Sequence, residues 1–332
     1  AAPHVDRMLV LDTGSTDDTV SIAERCGATV YHHPWSDDFA AARNALLELS
    51  PADWNLVLDA DERIEAGAGQ LRPEILGANR FIGLLPVSSE FDLQGNIETA
   101  TSWLPRILPA GVRYAGRIHE QPVSGLQRKR IPVQVRHVGY RKDQLARKKG
   151  RNRTILLDAL KETPNDGYLL YQLGKDYEIY QDYSNAVKNY SAALQHSGTN
   201  EPYRHDLVLR MIFSLKQSQQ YERAIEFAEN EMKHWQHSPD FFFTLGDLLL
   251  DWATLNPDKA LQELLPMVES CWKKCIEIGD QPTLEGAVNG RGSHLAAHNL
   301  AVLYAGLGDT EQAARFHQLA ADMRSAGEAA KE

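Results

Sequence analysis

Cysteine is scarce in this chain, long apolar runs are missing, and no basic excess offsets the acids. The 332 residues hold three cysteines, Cys26, Cys271 and Cys275. An odd number without regular spacing argues against a disulfide framework. No apolar stretch approaches the roughly 18 residues of a membrane-spanning helix. The runs at 241–243 and 248–250 are broken by Gly246, Asp247 and Asp251. Lysine and arginine number 35 against 45 acids, a formal net charge of −10. That balance argues against a general nucleic-acid binder, which needs a basic footprint. No signal-peptide pattern opens the chain, which starts Ala1-Ala2-Pro3-His4 without an initiating methionine. The length suits two domains.

What is present is a carboxylate pair. Asp59-Ala60-Asp61-Glu62 follows the apolar run 54–58. Strand side chains alternate, so Asp59 and Asp61 share a side if the extended conformation persists. Hard cations take oxygen ligands, and Mg²⁺ or Mn²⁺ often shares its shell between one or two carboxylates and substrate phosphates. The pair therefore points to a phosphate-bearing donor. Upstream, residues 7–11 read as a strand ending at Asp12. Gly14 permits a tight turn, and Ser15, Thr16 or Asp17 can cap the helix that follows. Gly27 stops that helix, residues 28–31 form a second strand, and residues 39–49 a second helix. Strand–helix alternation with short connections predicts an open, mainly parallel α/β sheet. Ligands in such sheets bind beyond the carboxyl ends of the strands, where Asp12 and Asp59 both sit.

The segments Leu11-Asp12-Thr13-Gly14-Ser15-Thr16-Asp17-Asp18-Thr19, Ser36-Asp37-Asp38-Phe39-Ala40-Ala41-Ala42-Arg43-Asn44 and Leu58-Asp59-Ala60-Asp61-Glu62 resemble family 2 glycosyltransferases of the GT-A fold. Tyr114-Ala115-Gly116-Arg117-Ile118-His119-Glu120 and His137-Val138-Gly139-Tyr140 resemble the same subgroup, which includes lipopolysaccharide-core glucosyltransferases and bacteriocin peptide S-glycosyltransferases. The likeness covers roughly the first 150 residues, and the order of the motifs is what makes it specific. It implies an inverting transfer of a hexose from a nucleotide-diphosphate sugar, UDP-linked in the family's usual practice. By that resemblance Asp12 contacts the nucleotide base, and Asp59 and Asp61 lie near the ribose and the metal. Arg43 borders the nucleotide site, and His137 adds a metal ligand. Glu120 falls where such enzymes carry the carboxylate that activates the acceptor. His119 is the alternative base, because an imidazole titrates near neutrality. The family normally opens with one more strand and helix before the Asp12 strand. The chain as it stands is expected to be a fragment, or else to lack part of the donor site.

From about residue 165 the pattern turns to helix after helix. Gly174, Ala186, Tyr190 and Ala193 are spaced by 12, 4 and 3 residues; Ile212, Ala224, Ala228 and Glu231 repeat those intervals, as do Ala301, Ala313, His317 and Ala320. Gly246 follows Ile212 by 34, the tetratricopeptide period. These segments resemble tetratricopeptide repeats, with the third stretched by an insertion between about 256 and 292. Stacked helix pairs leave a concave face suited to an extended peptide or a partner protein. Tyr168, Tyr171, Tyr177, Tyr180, Tyr183 and Tyr190 serve either recognition or, more commonly, packing between helices. Cys271, Cys275, His294 and His298 admit a zinc site, with packing again the commoner use. The basic cluster at 141–153 is either an arm over the diphosphate or a solvated helical linker, with Leu156, Leu157 and Leu160 available for burial.

The expected organisation is a GT-A domain at 1–145, a basic helical linker at 146–165 and an all-α repeat domain at 166–325. The expected activity is that of a glycosyltransferase dependent on Mg²⁺ or Mn²⁺, acting on a peptide, protein or glycan acceptor. The alternative is an impaired transferase that serves as a protein-binding scaffold. A cytoplasmic location is expected, peripheral to the membrane if the acceptor is lipid-linked. The resemblance also admits a homodimer through the repeats.

Overall fold

The computed structural model describes residues 2–77, 79–93, 96–137 and 150–329. Of the basic cluster, residues 141–149 lie outside the described residues, as do residues 138–140 of the last motif. The chain divides into two compact units, one of Ala1–Ile97 with Ser102–Pro164, the other of Glu98–Thr101 with Asn165–Glu332.

In the first unit β1 (Leu9–Asp12) pairs in parallel with β2 (Thr29–His32). Between them Gly14 turns the chain at φ +115° and α1 (Thr19–Arg25) returns it. The Asp17 carboxylate accepts from the Thr19 amide at 3.0 Å and finishes the start of that helix. α2 (Phe39–Glu48) is capped by Asp38, which accepts from the Ala41 amide. A six-stranded sheet then forms from β3 (Trp54–Leu56), β4 (Glu62–Ala66), β5 (Ile82–Leu93), β6 (Asn96–Pro109), β9 (Arg128–Arg130) and β10 (Gln134–His137), in the order β3-β6-β5-β10-β4 with β9 on β5. β7 (Arg113–Ala115) and β8 (Gln121–Val123) form a separate hairpin.

The α/β class is as expected, but the pairing is mixed rather than mainly parallel. Parallel alternation holds for β1 and β2. β3 is instead antiparallel to β6, and β10 lies parallel to β5 and antiparallel to β4. The cause is the long β5–β6 excursion, which returns an antiparallel strand to the edge of β3. Adjacent residues Ile107 and Leu108 on β6 face opposite ways. Ile107 joins a core with Leu71, the first residue of α3 (Leu71–Ile75), and with Leu85 and Val135; Leu108 joins one with Ala40 and Leu47 of α2 and with Tyr114. α4 (Arg151–Glu162) belongs to this unit too and buries Ile155 and Leu156, while Leu157 stays exposed.

The second unit is a series of helical hairpins: α5 (Gly167–Ile179) with α6 (Tyr183–His196), α7 (Arg204–Gln217) with α8 (Tyr221–Met232), α9 (Pro239–Leu255) with α10 (Leu265–Ile278), and α11 (His294–Gly306) with α12 (Thr310–Ala329). A β-carbon on Gly174 would stand 2.3 Å from the Tyr190 ring, and one on Gly246 2.6 Å from the Trp272 indole. Small residues at these positions are what let the paired helices meet. The stretch 256–292 is not a plain insertion. It contains α10, the second helix of the third hairpin, delayed by a π-helical turn at Ala260–Leu264.

Candidate functional site

Asp12 ends β1 and is buried. Its carboxylate accepts from the amides of Gly14 at 3.3 Å and Ser15 at 3.1 Å, and meets His32 Nδ1 at 3.3 Å. Parallel register sets His32 beside it. Donation from Ser15, aided by His32 and Gly14, holds its carboxyl below the ordinary range.

β3 ends at Leu56, and Asp59 to Glu62 form a turn closed by the Glu62 amide on the Asp59 carbonyl at 3.0 Å. The extended conformation therefore does not persist through the pair, and strand alternation does not govern it. The two aspartates go to different partners. Asp61 Oδ2 lies 3.1 Å from His137 Nε2, at the end of β10, which is in antiparallel register with the start of β4. Asp59 accepts from Arg43 Nη2 at 2.5 Å and from Arg106 Nη2 at 3.0 Å, one guanidinium on each oxygen. Arg106 also donates to Glu62 Oε1, while Glu62 Oε2 accepts from the Asp59 amide.

Arg43 completes the cluster. Its Nε donates to Glu120 Oε1, and its guanidinium lies 5.4 Å from the centre of the Tyr114 ring. Burial alone would lower the Arg43 pKa, but Asp59 and then Glu120 raise it well above the ordinary value. Burial pushes the Tyr114 phenol up to about 12. The neighbouring Asn44 exchanges two hydrogen bonds with the Tyr114 backbone, and the Phe39 amide donates to the Arg117 carbonyl. Those bonds lock α2 against the segment that carries Glu120. His119, just before it, adopts φ +52°. The result is an alternating chain of charge, Glu120–Arg43–Asp59–Arg106–Glu62.

The structure thus gathers Arg43, Asp59 and Glu120 and pairs Asp61 with His137. Among the described residues Asp12 shares no hydrogen bond or ion pair with either group. Two members of the cluster carried no assigned role in the sequence reading. Arg106 is buried on β6 with its Nε atom unpartnered. A lone arginine inside the apolar run 104–108 was the available signal, since a buried charge needs partners. Glu62 was visible only as the end of the acidic motif.

As to a metal, no cluster of three or more His, Cys, Asp or Glu converges on one point among the described residues. Asp61 and His137 nevertheless fit two neighbouring ligands of one ion. Octahedral ligands at roughly 2.1 Å from Mg²⁺ stand about 3 Å apart, close to the spacing of this pair. An ion held there would need the rest of its shell from groups other than these two side chains. Asp59, with both oxygens held by arginine, is not arranged as a third ligand.

In the repeat unit, Tyr171 and Tyr190 are buried, and donate to Asp206 and Glu178 respectively. Arg210 joins the same two carboxylates. Burial opposes ionisation of Asp206, yet Arg210 and Lys175 hold its pKa down at about 2. These tyrosines are packing residues. Cys271 and Cys275 are buried as well; burial pushes the Cys271 thiol up to about 12 and raises Cys275 too. The stretch between α10 and α11 lies on α7 and α9: His205 Nδ1 meets the Glu285 carbonyl at 2.6 Å, and Asp240 accepts from the Val288 amide at 2.9 Å. A groove of about 570 Å³ in this unit is lined largely by apolar groups such as Leu250, Leu265, Trp272 and Val302, and contains none of the residues gathered around Arg43.

Residues 3–69 match the family model Glycosyl transferase family 2. A TPR repeat-containing protein of Synechococcus elongatus is 34% identical over 185 residues, 52% of this chain and 45% of that protein. The SPbeta prophage-derived glycosyltransferase SunS of Bacillus subtilis is 25% identical over 205 residues, 56% of this chain and 48% of that protein. Among solved structures, MamA superposes with a TM-score of 0.43 at 16% identity, covering 58% of this chain and 98% of that one. The chain spans about half the length of the curated relatives it matches.

Proposed function

From a chain that joins a family 2 glycosyl transferase segment to tetratricopeptide-type hairpins, we propose an inverting, metal-dependent glycosyltransferase. It transfers a hexose from a nucleotide-diphosphate sugar, UDP-linked by family expectation, to a peptide, protein or glycan acceptor. The observation that carries the proposal is the pairing of Asp61 with His137 at 3.1 Å across 76 residues of sequence, beside a second cluster that holds Glu120.

In this reading Asp12 faces the nucleotide base and Asp59 lies toward the ribose. Asp61 and His137 hold Mg²⁺ or Mn²⁺, which, when bound, neutralises charge that develops on the departing diphosphate. Glu120 takes the acceptor's proton as the acceptor attacks the anomeric carbon on the face opposite the leaving group. The repeat unit presents the acceptor or a second copy of the chain. A cytoplasmic setting is part of the proposal, since nucleotide sugars are made there in bacteria; no helix among the described residues is long and apolar enough to cross a membrane.

The test is the thermal midpoint with UDP, with and without Mn²⁺, for the wild type and Asp61→Ala. Ligand at about 100 times its Kd stabilises by roughly 2.7 kcal/mol. A Mn²⁺-dependent rise that Asp61→Ala abolishes supports the reading. A rise that persists in the variant rejects the metal assignment, and no rise with any nucleotide favours the scaffold.

A further inference from the structure

Arg43 stands between two carboxylates that the proposed reaction uses for different purposes. Its Nε–Nη2 edge could grip a single carboxylate with two parallel bonds. Here the edge is divided, Nε to Glu120 and Nη2 to Asp59 at 2.5 Å. The Glu120 side chain is 9% exposed and that of Arg43 15%, so water competes little for either bond. Among the described residues Arg43 makes the only hydrogen bond to the Glu120 carboxylate, and makes it at Oε1. The Tyr114 ring below the guanidinium and the splint from Asn44 fix where the arginine lies.

We infer that Arg43 is a positioning residue for Glu120: it occupies Oε1, leaves Oε2 as the proton-accepting atom, and ties that atom to the donor seat at Asp59. The inference rests on the reaction proposed above. In that reaction the acceptor's nucleophilic atom bonds to the anomeric carbon and its proton passes to Glu120 Oε2. The bond from that carbon to the diphosphate oxygen breaks, and the electron pair leaves with the diphosphate. Attack and departure share one axis, so the separation of base and donor seat matters as much as the presence of each. A planar guanidinium sets that separation through two directed bonds. A lysine ammonium carries the charge without the fork.

The experiment is a double-mutant cycle on the full chain: wild type, Arg43→Lys, Arg43→Met, Glu120→Gln, and Arg43→Met with Glu120→Gln. UDP release is followed from the UDP-sugar that the wild type turns over with Mn²⁺, and the thermal midpoint is taken for each variant. Glu120→Gln is expected to lose about 10²–10⁴-fold in kcat. Arg43→Lys, which keeps a cation between the carboxylates and so guards against unfolding, is expected to lose at least about tenfold in kcat with donor KM within about threefold. The double variant is expected to be no slower than Glu120→Gln alone, because a residue acting through Glu120 has nothing left to position.

Losses that multiply in the double variant overturn the inference, as does full turnover in Arg43→Lys. A rise in donor KM at unchanged kcat also overturns it, and makes Arg43 a donor-binding residue. A wild type that binds UDP with Mn²⁺ but releases no UDP from any nucleotide sugar overturns the reaction itself, and the inference with it.

Discussion

The Asn44 side chain and the Tyr114 backbone exchange two hydrogen bonds of 2.9 Å, amide to carbonyl in both directions. Asn44 thereby acts on β7 as a neighbouring strand would. Arg43 precedes it on α2, so the splint also sets the guanidinium between its carboxylates. Asn44→Ala leaves a partly buried amide and carbonyl unmatched, and is expected to cost about 2 kcal/mol. Chemical denaturation measures that loss. Turnover is expected to fall further than stability, because Arg43 loses its fixed base. Asn44→Asp keeps the acceptor but sets a carboxylate oxygen against the Tyr114 carbonyl, so it should be no more stable than Asn44→Ala.

Arg106 neutralises Glu62, whose side chain is 2% exposed. Truncation of one member of a buried pair strands the other, a loss typically of about 3–5 kcal/mol. Arg106→Met should therefore be among the most damaging single changes in the first unit. Adding Glu62→Gln removes the stranded charge and should recover part of the loss. A double variant no more stable than Arg106→Met would show that the two residues do not act as a pair.

His119 adopts a left-handed conformation that costs a residue with a side chain about 1 kcal/mol and glycine little. His119→Gly removes the imidazole and keeps the backbone path. The expected result is turnover within about threefold. A fall of about a hundredfold or more would instead make the imidazole the base.

His205 is buried, and desolvation lowers its pKa below the ordinary 6.5. The Glu285 carbonyl can only accept, so Nδ1 carries the proton and Nε2 accepts from Ser238. The neutral ring thus has both nitrogens satisfied. The lowered folded pKa means that this contribution is complete above about pH 6.5 and is lost as pH falls, where the unfolded chain binds a proton that the folded ring resists. The wild type should lose more stability than His205→Gln between pH 7.5 and 5.5. Equal slopes in the two proteins would reject the assignment.

Local pattern carried much of this architecture. The Asp12 turn and the helix holding Arg43 follow from neighbours within four residues. Gly174 and Gly246 announced their helix contacts because a small residue at repeat spacing has one main physical use. The third hairpin was harder to read, since a π-helical turn displaces α10 from the expected interval. Arg106 was missed because its partners lie 44 and 47 residues away and depend on the return of β6 to β3. The separate destinations of Asp59 and Asp61 depend on where β3 stops, which an apolar run does not mark.

The register of the first unit bears on the order in which the chain folds. Trp54 pairs with Pro109 and Glu62 with His137, whereas each helical hairpin closes between neighbours in sequence. Loop closure over long separations slows folding, and locally closed helix pairs form early. The repeat unit is therefore expected to reach its native packing ahead of the sheet. Asp61 meets His137 only when β10 has come into register on β4, one of the longest closures in the unit, so the proposed metal site is expected to be assembled late.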